Sequence, residues 1–241
     1  MTGGTNPKGR LYLVPTPLGG SGLASVLPIG VQQRLSAIKY FVVEHPKTAR
    51  HFLKQVAGLP PLPSLELLEL NEHTTAEALP ELLAPLLNGQ DVGLLSEAGC
   101  PAVADPGAAL VRLAHQHGIQ VVPLVGPSAI LLALMASGLN GQRFCFHGYL
   151  PVAQDLRNQK ILQLEKHSRE QDETQIFIET PYRNLRLLEA LLQHCHPQTH
   201  LCVARNLTLV DEHISTRTIG EWRQNGLPDI HKQPAVFLLQ G

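Results

Sequence analysis

The feature that most constrains this chain is the alternation, through residues 10–137, of short β-prone apolar runs with segments of helical spacing. The runs cover residues 10–14, 40–43, 65–70, 91–95 and 119–123. Between them, residues 31–39 (apolar at Val31, Leu35 and Ile38), 48–56, 74–87 and 108–117 carry a helical period, and a further helix begins at Gly126-Pro-Ser-Ala129. Thr74 or Thr75 is placed to cap the third helical segment, with Glu77 in its first turn, and Gly118 closes the fourth. Continuous apolar runs of this length suit strands buried on both faces. The alternation therefore predicts a mostly parallel, five-stranded sheet with helices on both faces.

The second half reads differently. Strands are expected at 143–148, 175–178, 200–204, 212–218 and 235–239, and helices at 154–169, 182–193 and about 221–224. The polar run 212–218 is expected to pair antiparallel, giving a mixed sheet. Turn formers at residues 138–142 set the boundary. The expected organisation is a disordered lead-in (1–9), an N-terminal α/β domain (10–140) and a C-terminal α/β domain (141–241).

Composition removes several function classes. With 44% hydrophobic and 16% charged residues among 241, the chain is globular rather than disordered. No apolar run approaches the roughly 20 residues of a membrane span, and residues 1–10 lack a signal-peptide core. A cytoplasmic protein with no membrane partner is expected. Cys100, Cys145, Cys195 and Cys202 form no C-x-x-C pair and read as free thiols, and no histidines stand at H-x-x-x-H spacing on a helix, so no metal site is expected. The net charge of −1 shows no basic excess of the kind nucleic-acid binders carry.

In open α/β sheets, ligands bind outside the carboxyl ends of the strands. Three such ends carry Gly/Pro-rich loops: residues 15–22, 96–107 and 124–129. Glycine and proline there let backbone amides approach a ligand without intervening side chains. The dinucleotide fingerprint G-x-G-x-x-G, the phosphate loop G-x-x-x-x-G-K-[ST] and the G-x-S-x-G elbow are all missing.

Six segments in order resemble the tetrapyrrole-methylase superfamily, the class III S-adenosylmethionine-dependent methyltransferases. They are Gly9-Arg-Leu-Tyr-Leu-Val-Pro-Thr-Pro-Leu-Gly19, Leu94-Leu-Ser-Glu-Ala-Gly-Cys-Pro-Ala-Val-Ala-Asp-Pro-Gly107 and Gly118-Ile-Gln-Val-Val-Pro-Leu-Val-Gly-Pro-Ser-Ala129 in the first half. In the second half they are Phe144-Cys-Phe-His-Gly-Tyr-Leu-Pro151, Ile176-Phe-Ile-Glu-Thr-Pro-Tyr-Arg183 and Ala204-Arg-Asn-Leu-Thr208. The nearest resemblance is to the branch holding the small-subunit ribosomal RNA cytidine 2′-O-methyltransferase. It implies two α/β domains with S-adenosylmethionine in a cleft between them, and a homodimer.

Carried over by position, the resemblance puts Leu18, Gly99, Cys100, Pro101 and Val103 beside the amino-acid part of the donor. Ser128 and Ala129 fall near its carboxylate or ribose. Glu179 and Thr180 fall at the adenosine, with Leu207 and the Pro234-Ala235 pair near the adenine. The chain departs from that branch in reading Val43-Glu-His-Pro-Lys-Thr-Ala-Arg50 after the second strand and in carrying Glu97 and Cys100. Its last strand runs to Gly241, where that branch carries a further small segment.

The donor carries its own activation, so the protein must align the acceptor and, for a hydroxyl, take its proton. Glu44, at a strand's carboxyl end, and the adjacent His45 are the candidate catalytic residues. Lys47, Arg50, Glu97, Tyr182 and Arg183 are further polar candidates, and Asp105 reads as a helix cap. Ribosomal RNA or a small molecule such as a tetrapyrrole is the expected acceptor, and a non-catalytic donor-binding protein is the rival reading.

Overall fold

The computed structural model describes residues 7–20 and 22–241, which form two compact units, 1–128 and 129–241. Most of the expected lead-in, residues 1–6, lies outside the described residues; Gly9 is already fixed, its N–H donating to Leu86 O at 2.8 Å.

The first unit runs β1 (Leu11–Val14), α1 (Leu23–Val26), α2 (Ile29–Leu35), β2 (Tyr40–Val43), α3 (Pro46–Leu53), β3 (Glu66–Glu69), α4 (Leu79–Leu82), α5 (Ala84–Leu87), β4 (Val92–Leu95), α6 (Gly107–Gln116) and β5 (Val121–Pro123). All pairings are parallel, in the order β3-β2-β4-β1-β5. The apolar runs split by parity between two cores, as strands covered on both sides must. Tyr12, Val14, Phe41 and Val43 pack with α2 and α3 residues such as Leu35 and Phe52. Leu11, Val42 and Val92 pack on the opposite face with Leu86 and Leu110.

One expected helix is broken. Residues 74–87 form two single-turn pieces, α4 and α5, because Pro80 and Pro85 lack the N–H that a continuous ladder needs. Thr74 does not cap a helix: its hydroxyl accepts from Asn71 N at 3.0 Å in a preceding turn.

The second unit runs α7 (Ala129–Ser137), β6 (Phe144–Tyr149), α8 (Gln154–Gln171), β7 (Thr174–Ile178), α9 (Asn184–His194), β8 (His200–Arg205), β9 (His213–Thr218), α10 (Ile219–Asn225) and β10 (Ala235–Gln240). Its sheet is mixed, in the order β6-β7-β10-β8-β9, with only β6 and β7 parallel. The polar strand β9 pairs antiparallel with β8, as expected. One face buries Phe177, Val203 and Phe237 against α8, α9 and Trp222, whose indole N–H donates to Leu201 O.

The contact pattern puts the division at Ser128/Ala129, whereas the turn formers at 138–142 had suggested a later boundary. Helix α7 packs on β8, β9 and β10 of the second sheet, and Thr216 Oγ1 donates to Ser137 O at 2.7 Å. The turn after α7 is a connection inside the second unit.

Candidate functional site

At the carboxyl edge of the first sheet, the loops after β1 and β4 are zipped together. Thr16 N donates to Gly99 O at 2.9 Å and Gly99 N to Thr16 O at 3.0 Å. Thr16 is 4% exposed, and its hydroxyl donates to Ser96 O; Ser96 Oγ in turn donates to Gly99 O. Gly99 has φ +79°, a left-handed conformation that disfavours a side chain, and a Cβ there would stand 3.2 Å from Leu18 Cδ2. The third loop closes just as tightly: a Cβ on Gly126 would lie 2.3 Å from Pro15 Cβ. Cys100 Sγ donates to Pro127 O at 3.4 Å, and burial pushes the thiol's pKa up, so the cysteine ties loops together as a neutral group.

Further along the β4 loop, Ala102 (φ +65°) and Ala104 (φ +61°) are both left-handed, a conformation that costs an L-residue about 1 kcal/mol or more. Asp105 offsets part of this: its Oδ1 accepts from Ala102 N at 2.7 Å and from Gly107 N, the first residue of α6, at 2.9 Å. The second bond steadies the entry to α6, whose N-cap is Pro106 and not the Asp105 that the sequence had suggested. Burial raises the Asp105 pKa against the lowering effect of those two amides.

Glu44 and His45 leave the carboxyl end of β2, whose last residue, Val43, pairs with Leu95 of β4. This register puts Glu44 beside the start of the β4 loop. His45 Nδ1 lies 3.4 Å from Glu97 Oε1. The pKa of Glu44 is raised, first by burial and then by the charges of Glu97, Asp105 and Glu72, with His45 acting the other way. The site is therefore acidic, and burial with its neighbouring carboxylates makes Glu44 harder to ionise.

Within the first unit, Leu18, Gly99, Cys100 and Pro101 come together on this edge. Val103 is 48% exposed on the outer part of the loop. Ser128 ends the first unit and Ala129 opens α7.

In the second unit, the ends of β7 and β8 and the start of β10 share one sheet edge, which collects Glu179, Thr180, Leu207, Pro234 and Ala235. Glu179 is buried, and its Oε1 accepts from Thr180 N at 2.6 Å and from Arg183 Nε and Nη2 at 2.9 and 2.6 Å. That carboxylate and Arg183 hold the β7–α9 turn in shape. Leu207 is buried between two left-handed residues, Asn206 (φ +50°) and Thr208 (φ +70°). Asn206 N donates to Pro234 O at 3.0 Å.

Sequence reasoning missed two of the side chains that build this edge, Gln233 and Asn184. Gln233 Oε1 accepts from Arg205 Nη1 and from Asn206 Nδ2 (2.9 Å for the latter). Asn206 Nδ2 also reaches Asp211 Oδ2 at 2.7 Å. Asn184, fully buried at the start of α9, donates through Nδ2 to Gln233 O at 2.6 Å. Nothing local marks Gln233 or Asn184, because their partners lie 27 to 49 residues away. Arg205 Nε, Thr208 Oγ1 and Asn184 Oδ1 are buried here without a hydrogen-bond partner among the described residues. Buried polar atoms without a partner are uncommon in folded proteins.

Among the described residues no group of histidine, cysteine or carboxylate side chains is disposed to hold a metal, and no helix is long and apolar enough to cross a membrane.

The family model "Tetrapyrrole (Corrin/Porphyrin) Methylases" matches residues 10–222. The chain is 35% identical over 218 residues to the ribosomal RNA small subunit methyltransferase I of Escherichia coli O157:H7, covering 90% of this chain and 71% of that protein. The crystal structure of the methyltransferase CobJ superposes with a TM-score of 0.64 at 20% identity, over 97% of this chain and 94% of that one. Uroporphyrin-III C-methyltransferase from Thermus thermophilus, solved in complex with S-adenosylhomocysteine, superposes with a TM-score of 0.57 at 16% identity, over 96% and 97%.

Proposed function

The chain belongs to the tetrapyrrole methylase family and is an S-adenosylmethionine-dependent methyltransferase of that fold, and on that premise we propose that it methylates a ribose 2′-hydroxyl of small-subunit ribosomal RNA. The observation that carries the substrate class is the 35% identity, over 90% of the chain, to a relative named for small-subunit ribosomal RNA.

Both edges suit the donor. In the first unit, the left-handed Gly99 and the close Leu18 leave a surface of backbone and small side chains, with Cys100 and Pro101 behind it. This surface would hold the amino-acid part, helped by Ser128 and Ala129. In the second unit, the edge made by Leu207 and Pro234-Ala235, held in shape by Asn206 N–H donating to Pro234 O and Asn206 Nδ2 donating to Gln233 Oε1, is where the adenosine would sit. Glu179 and Thr180 would contribute through their backbone, since the Glu179 carboxylate already serves Arg183. Bound there, S-adenosylmethionine supplies a methyl group activated by its sulfonium.

His45 takes the hydroxyl proton at Nε2, while Glu97, 3.4 Å from Nδ1, stabilises the imidazolium that results. Glu44, harder to ionise than an ordinary carboxylate, shares that proton on the acceptor side. We further propose a cytoplasmic protein that assembles as a homodimer; light scattering tests the dimer, and cell fractionation tests the location.

The test is incubation with methyl-labelled S-adenosylmethionine and small-subunit RNA, followed by nucleoside mass spectrometry. A 2′-O-methylated nucleoside is expected. Label entering a tetrapyrrole and not RNA would overturn the substrate assignment.

A further inference from the structure

A neutral overall charge leaves open how an RNA chain would be held, and helix α3 answers this locally. Its residues sort onto three faces at 3.6 residues per turn. Ala49, Phe52 and Leu53 are buried in the core. Lys47 and Arg50, with Lys54 at the helix's C-cap, make an exposed basic stripe at i, i+3 and i+7, and none of them is in an ion pair among the described residues. Between the two runs a third face, Thr48, His51 and Gln55, lines a cavity of about 460 Å³.

The opposite walls of that cavity come from the β1 and β4 loops, including Leu18 and Glu97, and Phe52 supplies an apolar aromatic wall. The volume suits one small organic group. No lysine or arginine is among its described lining residues, while Glu97 is, with Glu44 close enough to feel its charge. Such a cavity repels phosphates and carboxylates but accepts a neutral heterocycle with its sugar. Leu18 joins it to the Gly99 surface, so an acceptor held here lies next to the proposed donor site. The His45–Glu97 pair stands at the same wall.

We propose that α3 and this cavity form the acceptor-strand subsite: the cavity takes the target nucleoside, splayed out of a single strand, and Lys47, Arg50 and Lys54 take the flanking phosphates. The proposal rests on the reading of the protein as an RNA methyltransferase. Single-stranded RNA is recognised in this way, with unstacked bases in pockets and the backbone on a basic track.

The probe is in-vitro-transcribed small-subunit RNA, titrated by filter binding across salt concentrations, with S-adenosylmethionine affinity measured in parallel by calorimetry. For Lys47→Ala/Arg50→Ala/Lys54→Ala, three lost phosphate contacts lower the slope of log affinity against log salt by about 2. RNA affinity falls at least tenfold and donor affinity stays within twofold. Gln55→Trp, which fills the cavity from the exposed turn after α3, lowers kcat/KM for RNA at least a hundredfold, with the salt slope and donor affinity unchanged. Thr48→Tyr does the same if the tryptophan variant fails to fold. A wild-type salt slope in the triple variant, or a cavity-filled variant that still methylates RNA or loses donor affinity, overturns the subsite. Should the wild-type protein neither bind nor methylate the RNA, the RNA reading falls and the subsite with it. If the wild type methylates RNA and the variants match it, only the subsite falls.

Discussion

The two sheet edges are built by different means. In the first unit the loops are held by backbone groups exchanging hydrogen bonds, Thr16 with Gly99, and by glycines where a side chain would collide. In the second unit the loops are held by side chains: Gln233 gathers Arg205, Asn206 and Asn184, and Glu179 clasps Arg183. A backbone-built edge of this kind resists an added Cβ at its tightest glycines, Gly99 and Gly126. A side-chain-built edge tolerates backbone variety but fails when a hub is removed, because its partners are left buried and unpaired.

Substitutions at the two kinds of hub separate these modes. The largest effect is expected for Gly99→Val. A β-branched residue at φ +79°, with Leu18 Cδ2 3.2 Å from the new Cβ, combines left-handed strain with overpacking and costs roughly 3 kcal/mol. Chemical denaturation should show that loss, together with a collapse of S-adenosylmethionine affinity in calorimetry. A stable variant that binds the donor normally would break the backbone account of the first edge.

Gln233→Ala comes next. It strips Arg205 and Asn206 of a shared acceptor, for an expected cost of about 2 kcal/mol in the same denaturation experiment. Gln233→Glu, which keeps the acceptor oxygen, should recover most of it. Equal losses in both variants would mean that the side chain matters for its shape and not for its hydrogen bonds.

Glu44 gives a pH-dependent effect. Its folded pKa is raised, so the folded state holds that proton more tightly than the unfolded chain does. Stability is then greatest where the carboxyl is protonated and declines as the pH rises through the folded pKa. Glu44→Gln should therefore melt higher than wild type at pH 7, and the gap should close below the ordinary carboxyl value of 4.5. The same variant should slow methyl transfer if Glu44 shares the acceptor's proton.

The smallest expected effect is that of Cys100→Ala, which removes a weak Sγ–H donor to Pro127 O and costs under ~1 kcal/mol. Its donor affinity should stay near that of wild type. A large loss of affinity there would instead mark the thiol as a direct contact.

The same contrast explains what could be read from the sequence. The first edge announces itself locally, since Gly/Pro-rich loops follow apolar runs and the parallel sheet follows from the alternation of elements. Glu44 and His45 were placed correctly at the end of β2 by the same reasoning. The second edge was reached only through the family motifs. Gln233 and Asn184 were invisible, because their roles depend on partners brought close by β8 and β10 pairing. The broken helix at 74–87 shows the opposite error: its apolar period was read, while the cost of Pro80 and Pro85 inside it was not. Helix α7 packs on β8, β9 and β10, a contact that turn residues in the sequence do not disclose.

The most direct test of the account is hydrogen–deuterium exchange with and without S-adenosylhomocysteine. Protection is predicted at residues 96–101 in the first unit and at 205–208 and 232–235 in the second, with α8 unchanged. Protection at neither edge, or only elsewhere in the molecule, would contradict the assignment of both edges to the methyl donor.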